Sequence, residues 1–245
     1  MEKKYRTEKD PETGGLLLRI IALKDFADVK KGDRGGLIKK ENNLSQIGDC
    51  WVYDDAMITG DAYVYENAKI SGKARIYGDA RVHGKAEISG KAKVYGYAEV
   101  WENAKIYGSA DVCENAEVSG SAQIYGNACV SENTEVSGNA KIYGDAYIYG
   151  NPKIYENAQV FGFTWIFNSA IVSGNVKLWS TNVSRITTPI KNNKGYTVLA
   201  LERNFYVVPL FSDIKSLIDK DIISIDGKNY VENIQTIRQL YGKEI

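Results

Sequence analysis

The chain has 245 residues, 44% hydrophobic and 25% charged, which is enough apolar material for one large or two small folded units and too much for a disordered chain. Lys+Arg and Asp+Glu balance at 31 each, so no global field draws the protein to nucleic acid or to an anionic membrane. The N-terminus, MEKKYRTEKDPETGG, lacks the apolar run of a signal peptide, and no stretch of about 18 apolar residues suggests a membrane span, so a cytoplasmic location is expected.

Residues 1–47 are read as an N-terminal cap. They hold one apolar strand, Leu16 to Leu23, followed by the turn-rich stretch DFADVKKGDRGG.

From Gly48 to Trp179 the chain repeats every six residues, as GDCWVY, DDAMIT, GDAYVY, ENAKIS, GKARIY and so on, for 22 hexads without an insertion. The fifth position is Val, Ile or Leu in all 22 hexads and the third is Ala in 17. Two inward residues with an outward one between them are the alternation of a β-strand. The first position is Gly in 15 hexads and the second is Asn or Asp in 14, residues that accept a left-handed backbone most cheaply. A corner is therefore expected in every hexad. Three strands and three corners make a triangular coil of three hexads, so residues three hexads apart stack and residues one hexad apart lie on different faces. With strands about 4.8 Å apart, the prism should be roughly 35 Å long. The fold class is an all-β solenoid, a parallel β-helix.

Residues 180–245 change composition again. A hairpin (YTVLAL, then FYVVPLF) is followed by a helix capped by Ser212, a small hairpin at Asp226-Gly227, and a helix from about Glu232 to Tyr241 ended by Gly242. This reads as a small α+β capping module. A coil stack has two open ends with unpaired edges, and terminal units of different surface close them.

The repeat block resembles the hexapeptide-repeat superfamily, whose best-known members are trimeric acyltransferases. The stretches ALKDFADVKKGDRGGLIKKENNLSQIGDCWVYDDA and YTVLALERNFYVVPLFSDIKSLI are similar to the YdcK-like proteins of bacteria and phages, usually labelled transferases. The resemblance implies left-handed winding, against the usual right-handed crossover rule, and a homotrimer. It also implies, for the catalytic members, a histidine general base, a loop projecting from the coils and an inter-subunit groove for an acyl-thioester cofactor.

Only the base has a candidate. His83 is the single histidine and occupies the sixth, outward position of its hexad, with Tyr65 one coil before it and Trp101 one coil after it in the same column. A histidine in an aromatic ladder is the plainer reading. Under the acyltransferase alternative His83 is the catalytic base and acyl-CoA the cofactor; otherwise no cofactor is expected. Cys50, Cys113 and Cys129 have no C-x-x-C spacing and with one histidine do not make a usual zinc site, so they are read as free thiols and no metal is expected. The related carbonic anhydrases, whose metal needs three histidines, are excluded.

Sorting the outward residues by face gives three patches. One face carries Lys73, Arg75 and Tyr77 on one coil and Lys91, Lys93 and Tyr95 on the next, which suits a small anionic ligand such as a nucleotide or is a solvated face. Further along it, Tyr147 and Tyr149 stack under Trp165 and Phe167, with Phe163 at the corner. Such an apolar patch marks an interface, most simply with the chain's own C-terminal module. A second face stacks Tyr107, Tyr125, Tyr143, Phe161 and Trp179, a ladder that needs no ligand. A third stacks Glu99, Glu117 and Glu135 beside Glu114 and Glu132 at the corner. Stacked like charges need compensation from a neighbouring subunit or a cation. The expected function is a non-catalytic cytoplasmic scaffold or binding protein, a homotrimer whose patches meet subunits, a protein partner or a ligand, with no membrane or nucleic-acid partner. The alternatives are the acyltransferase and a binder of a small anion.

Overall fold

The computed structural model describes residues 2–175 and 177–179 and the backbone of Asn182–Val183. The α+β module expected over 180–245 and the third-position Val176 lie otherwise outside the described residues. What is described is an all-β parallel solenoid, in which each of the 22 hexads contributes one short strand at its fourth and fifth positions. The strands form three sheets. The first face runs through Met57–Ile58, Arg75–Ile76, Lys93–Val94, Asp111–Val112, Cys129–Val130, Tyr147–Ile148 and Trp165–Ile166. The second runs from Trp51–Val52 to Lys177–Trp179, and the third from Tyr63–Val64 to Ile171–Val172. Within the coils every pairing is parallel with a register of one full coil, as in Arg75↔Lys93↔Asp111.

The inward register is the expected one. The third-position alanines from Ala56 to Ala170 are buried to 0%, and the fifth-position residues from Val52 to Leu178 to 1% or less. Two third positions put a hydroxyl in this apolar axis and satisfy it locally. Thr134 Oγ1 donates to the carbonyl of Ser131, and Thr164 Oγ1 to that of Phe161.

The corners correct one expectation. Positive φ falls on the first position alone, and on all 22 of them. At most it is a glycine, for a reason visible at Gly60, where a Cβ would meet the backbone of Gly78 at 2.8 Å. Seven first positions are not glycine: Asp54, Glu66, Glu102, Glu114, Glu132, Glu156 and Asn168, with φ from 52 to 60°. Several of these acids reach the next coil. The Glu66 carboxylate accepts the Gly84 N–H at 2.9 Å, Glu102 that of Gly120 at 2.6 Å, and Asp54 that of Gly72 at 2.8 Å. A left-handed non-glycine residue costs about 1–2 kcal/mol and a charge-assisted hydrogen bond contributes about 1.5–3 kcal/mol, so the two nearly offset. The second-position amides have a different task. Their side chains form ladders up the corners, Asn115 to Asn133 to Asn151 and Asn139 to Asn157 to Asn175, each donating to the next at 2.9–3.1 Å.

The cap holds three strands where one was expected. β1 (Tyr5–Lys9) pairs antiparallel with β2 (Leu18–Ala22), which pairs antiparallel with β3 (Arg34–Ile38). β3 then runs parallel to the first-face strand at Met57–Ile58, so the cap covers that sheet's open edge. Gly35 and Gly36, expected in a turn, lie in β3. A Cβ on Gly35 would meet Ile20 and the Val52 carbonyl at 2.6 Å, and one on Gly36 the Ala56 carbonyl at 2.4 Å, so this strand approaches the first coil too closely for any other residue. The Asn43 side chain donates to the carbonyls of Gly60 and Ala62 and closes the third face. Tyr5, Phe26 and Trp51 close the core edge to face at 5.4–6.1 Å. Beside them Lys4 is buried. Its Nζ donates to the carbonyls of Gly48 and Cys50 and to Cys50 Sγ at 2.9–3.2 Å, and burial lowers its pKa. Among the described residues no helix is long and apolar enough to cross a membrane.

Candidate functional site

His83 sits in the third face as the register requires. Its ring is stacked on Tyr65 at 4.5 Å and on Trp101 at 6.1 Å, both within 8° of parallel. Nε2 is 3.2 Å from Glu99 Oε1, and Nδ1 is 3.7 Å from the Glu66 carboxylate. The side chain is 18% exposed. Both ring nitrogens therefore face acids while both ring faces are covered, which holds the imidazole in one orientation. A recess of about 370 Å³ next to it is lined by Asp61, Tyr63, Tyr65, Asp79 and Arg81.

The first face brings each of its two binding sets together and keeps the sets apart. Arg75 and Lys93 are register partners, and Tyr77 and Tyr95 are stacked at 4.7 Å. Lys93 pairs with Asp111 at 3.2 Å; among the described residues no carboxylate pairs with Lys73, Arg75 or Lys91. Four coils from Arg75, about 19 Å at the strand spacing, the aromatic set begins. Tyr147 lies 5.5 Å from Trp165, and Tyr149 stacks on Phe167 at 5.6 Å and meets Trp165 edge on. Phe163 at the corner is 69% exposed.

The acidic column of the third face is in register, Glu99↔Glu117↔Glu135. Part of the compensation expected from outside comes from within the chain. Glu99 has Arg81 as its register partner and His83 as its contact, and Lys153, the next residue up the column, donates to both Glu135 oxygens at 2.7–2.8 Å. Among the described residues Glu117, between two carboxylates, and the corner residues Glu114 and Glu132 have no cationic partner. The second-face ladder is regular: Tyr107, Tyr125, Tyr143 and Phe161 stack at 4.8–4.9 Å within 3° of parallel.

One grouping escaped sequence reasoning. Cys113 and Cys129 are diagonal neighbours on the first face, between the cations and the aromatic set. The Cys129 and Tyr95 side chains, acting against burial, bring the Cys113 thiol down to about 7. The neighbouring Cys113, together with burial, pushes Cys129 up. The signal was a spacing just short of one coil. It joins a sixth-position residue to the fourth position of the next coil, as in His83 with Glu99 and Tyr107 with Gln123.

Two comparisons with known proteins bear on these faces. A family model described as "Bactofilin: Polymer-forming cytoskeletal" matches residues 62–165. The chain is also similar to the uncharacterized acetyltransferase YdcK of Escherichia coli (strain K12), at 41% identity over 58 residues, 23% of this chain. That match spans 18% of the length of YdcK. Both similarities agree with a β-solenoid, and they carry different functional descriptions.

Proposed function

We propose that the chain is a non-catalytic scaffold of the hexapeptide-repeat, left-handed type that assembles with copies of itself side by side in the cytoplasm, as a homotrimer. The observation that carries this reading is the sorting of unpaired charge on flat faces. Among the described residues Lys73, Arg75 and Lys91 have no acidic partner on the first face, and Glu114, Glu117 and Glu132 have no basic partner on the third face and its corner. Setting the first face of one prism against the third face of the next turns the two unpaired sets toward one another, and at equal height such a contact closes into a ring. Charge of this kind sets register, while apolar contact supplies most of the affinity. The Tyr147, Tyr149, Trp165 and Phe167 set lies on the same face to supply it. Similarity to a polymer-forming family supports self-association. The cap supports the lateral mode, because an end-on neighbour would meet β1–β3 and not an open coil.

The unpaired acids stand one to three coils above the unpaired cations. A contact that keeps that stagger does not close, and gives an open filament in place of a trimer. Sedimentation across a range of concentrations separates the two: a discrete trimer supports the ring, and a size that grows with concentration supports the filament. A monomer at micromolar concentration overturns the self-assembling reading. Glu114→Lys/Glu117→Lys/Glu132→Lys should weaken assembly and leave the fold intact, and unchanged assembly removes the charge argument. Unpaired Lys73, Arg75 and Lys91 would also suit a small anionic ligand such as a nucleotide.

A second reading, an acyltransferase, is favoured by one contact. A base held by a carboxylate, as His83 is by Glu99 at 3.2 Å, is the arrangement that general-base catalysis uses, and the 58-residue similarity is to an acetyltransferase. Acyl-CoA would be its cofactor. Thiol release from acetyl-CoA that falls about 10²-fold or more in His83→Ala would establish it over the scaffold.

A further inference from the structure

The rings of the third face form a pile with a free end. Tyr63 stacks on Tyr65 at 4.8 Å and 15° from parallel, and the pile continues through His83 to Trp101. Tyr63 belongs to the first strand of its sheet, and before it the chain supplies a single bridge, Leu44↔Val64, in place of a strand. Asn43, the residue ahead of that bridge, turns its amide to the carbonyls of Gly60 and Ala62 and leaves Tyr63 38% exposed. The cap therefore ends in a step beside this ring.

That step is a trough. A recess of about 550 Å³ on the cap side, walled by Lys40, Glu41, Asn42 and Ser45, meets the recess of about 370 Å³ beside Arg81, and Asp61 and Tyr63 line both. Most of the charges around it are paired within the chain, Lys40 with Asp61 and Glu41 with Lys3 at 3.2 Å. Asp79 and Arg81 line one wall with opposite signs, and among the described residues neither they nor the Asn42 side chain make a hydrogen bond or ion pair. Such a lining has donors and acceptors on every side of one ring and little net charge to select an ion. A charged ligand would compete with the existing pairs, and an apolar one would leave buried polar groups unmet at about 1–3 kcal/mol each. The ligand that fits is neutral, has hydroxyls that both donate and accept, and lays one apolar face on the ring. A pyranose sugar has this make-up, with C–H groups on its ring faces and hydroxyls around its rim.

We propose that the trough binds a neutral saccharide, with Tyr63 as the stacking platform and Asn42, Asp61, Asp79 and Arg81 as the hydrogen-bonding rim. The rings behind Tyr63 hold the platform in one orientation, so little freedom is lost when a sugar settles on it. This site does not depend on the scaffold reading. Tyr63 stands three coils before Glu117, the unpaired acid in the same column, through Arg81 and Glu99.

The test offers the full chain a panel of neutral gluco-, galacto- and manno-configured oligosaccharides, with acidic sugars and nucleosides beside them, and reads binding by ligand-observed NMR and calorimetry. At least one neutral sugar should bind, with saturation transfer strongest at the C–H protons of one ring face. Tyr63→Ala should weaken that binding by about tenfold, the loss of one ring stack, while Tyr63→Phe keeps the stack and should stay within about twofold. Asn42→Ala should lose roughly fivefold, one hydrogen bond. All three variants should sediment as the wild type does, which separates this site from the assembly contact. The proposal is overturned if no neutral sugar binds at millimolar concentration, if only acidic sugars or nucleosides bind, or if Tyr63→Ala binds as well as the wild type.

Discussion

The N-terminal end and the middle of the prism are stabilised in opposite ways. In the middle every coil repeats one solution: Ala at the corner, a branched residue at the axis, and backbone hydrogen bonds to the coil above. At the end almost every contact occurs once. Lys4 closes two carbonyls, Asn43 closes two more, Tyr5 donates to the carbonyls of Glu41 and Leu44, and Arg19 holds the buried Asp10 at 2.8 Å. Each coil's carbonyls accept from the N–H groups of the coil before it, whereas the first coil has none before it. Its orphaned carbonyls have to be met by side chains, which is why charged and amide groups are buried at this end.

The largest test of this contrast is Ile124→Asp. The position is buried to 0% in mid-prism, where a carboxylate has no partner, and the substitution should cost several kcal/mol and unfold the coils around it. Gln123→Asp, one residue away and outward, should be nearly silent. Thermal melts of the two variants that coincide would mean that the inward register is wrong.

Lys4→Met should come next. It fills a similar volume but leaves the Gly48 and Cys50 carbonyls unmet, at a cost of about 2 kcal/mol. Because the cap is not repeated, the loss should stay local. Amide exchange should rise over residues 5–58 and remain slow near Ile106 and Ile124. Uniform acceleration along the prism would show that cap and coils unfold as one unit.

These two sites differ in how far they could be read from sequence. The axis could be read outright, because period six fixes which side chain points inward, and the same arithmetic put His83 between Tyr65 and Trp101. It also contained contacts that went unread. Lys153 stands one coil directly beyond Glu135, and Cys129 stands diagonally across one coil boundary from Cys113. Both follow from the lattice once diagonal neighbours are counted with direct ones. The cap offered no lattice. β1 is a charged segment, YRTEK, whose one apolar anchor is Tyr5, and β3 contains the glycine pair that ordinarily signals a turn. Its glycines serve close approach and its lysine serves carbonyl capping, and neither leaves a local pattern.

A smaller effect separates the regions by pH. The Arg19 side chain, helped by the Thr13 N–H, holds the Asp10 carboxyl below its ordinary 3.8. A carboxyl whose folded value is depressed contributes stability that is fully present above the unfolded value and is lost as pH falls below it through the folded one. Asp10→Asn should therefore lower the melting temperature at neutral pH, and the gap from wild type should close below pH 3.8. A gap that stays constant from pH 6 to pH 3 would mean that Asp10 acts by shape and not by charge.

The smallest expected effect lies in the repeat itself, at a left-handed corner. Glu102 has φ of 57° and accepts the Gly120 N–H, so it bears a backbone cost and recovers it through a hydrogen bond to the next coil. Glu102→Gly removes both terms, and since a backbone cost of about 1–2 kcal/mol stands against a hydrogen bond of about 1.5–3 kcal/mol the melting temperature should hardly move. Glu102→Ala removes the bond and keeps the cost, so it should be the worse variant by about 1 kcal/mol although alanine is the better residue almost everywhere else in a folded chain. The order glutamate close to glycine, with alanine below both, is the signature of a corner built from backbone geometry. If alanine equals glycine, the left-handed cost at this position is negligible, and the preference for glycine at 15 of the 22 first positions reflects the close approach of the neighbouring coil alone.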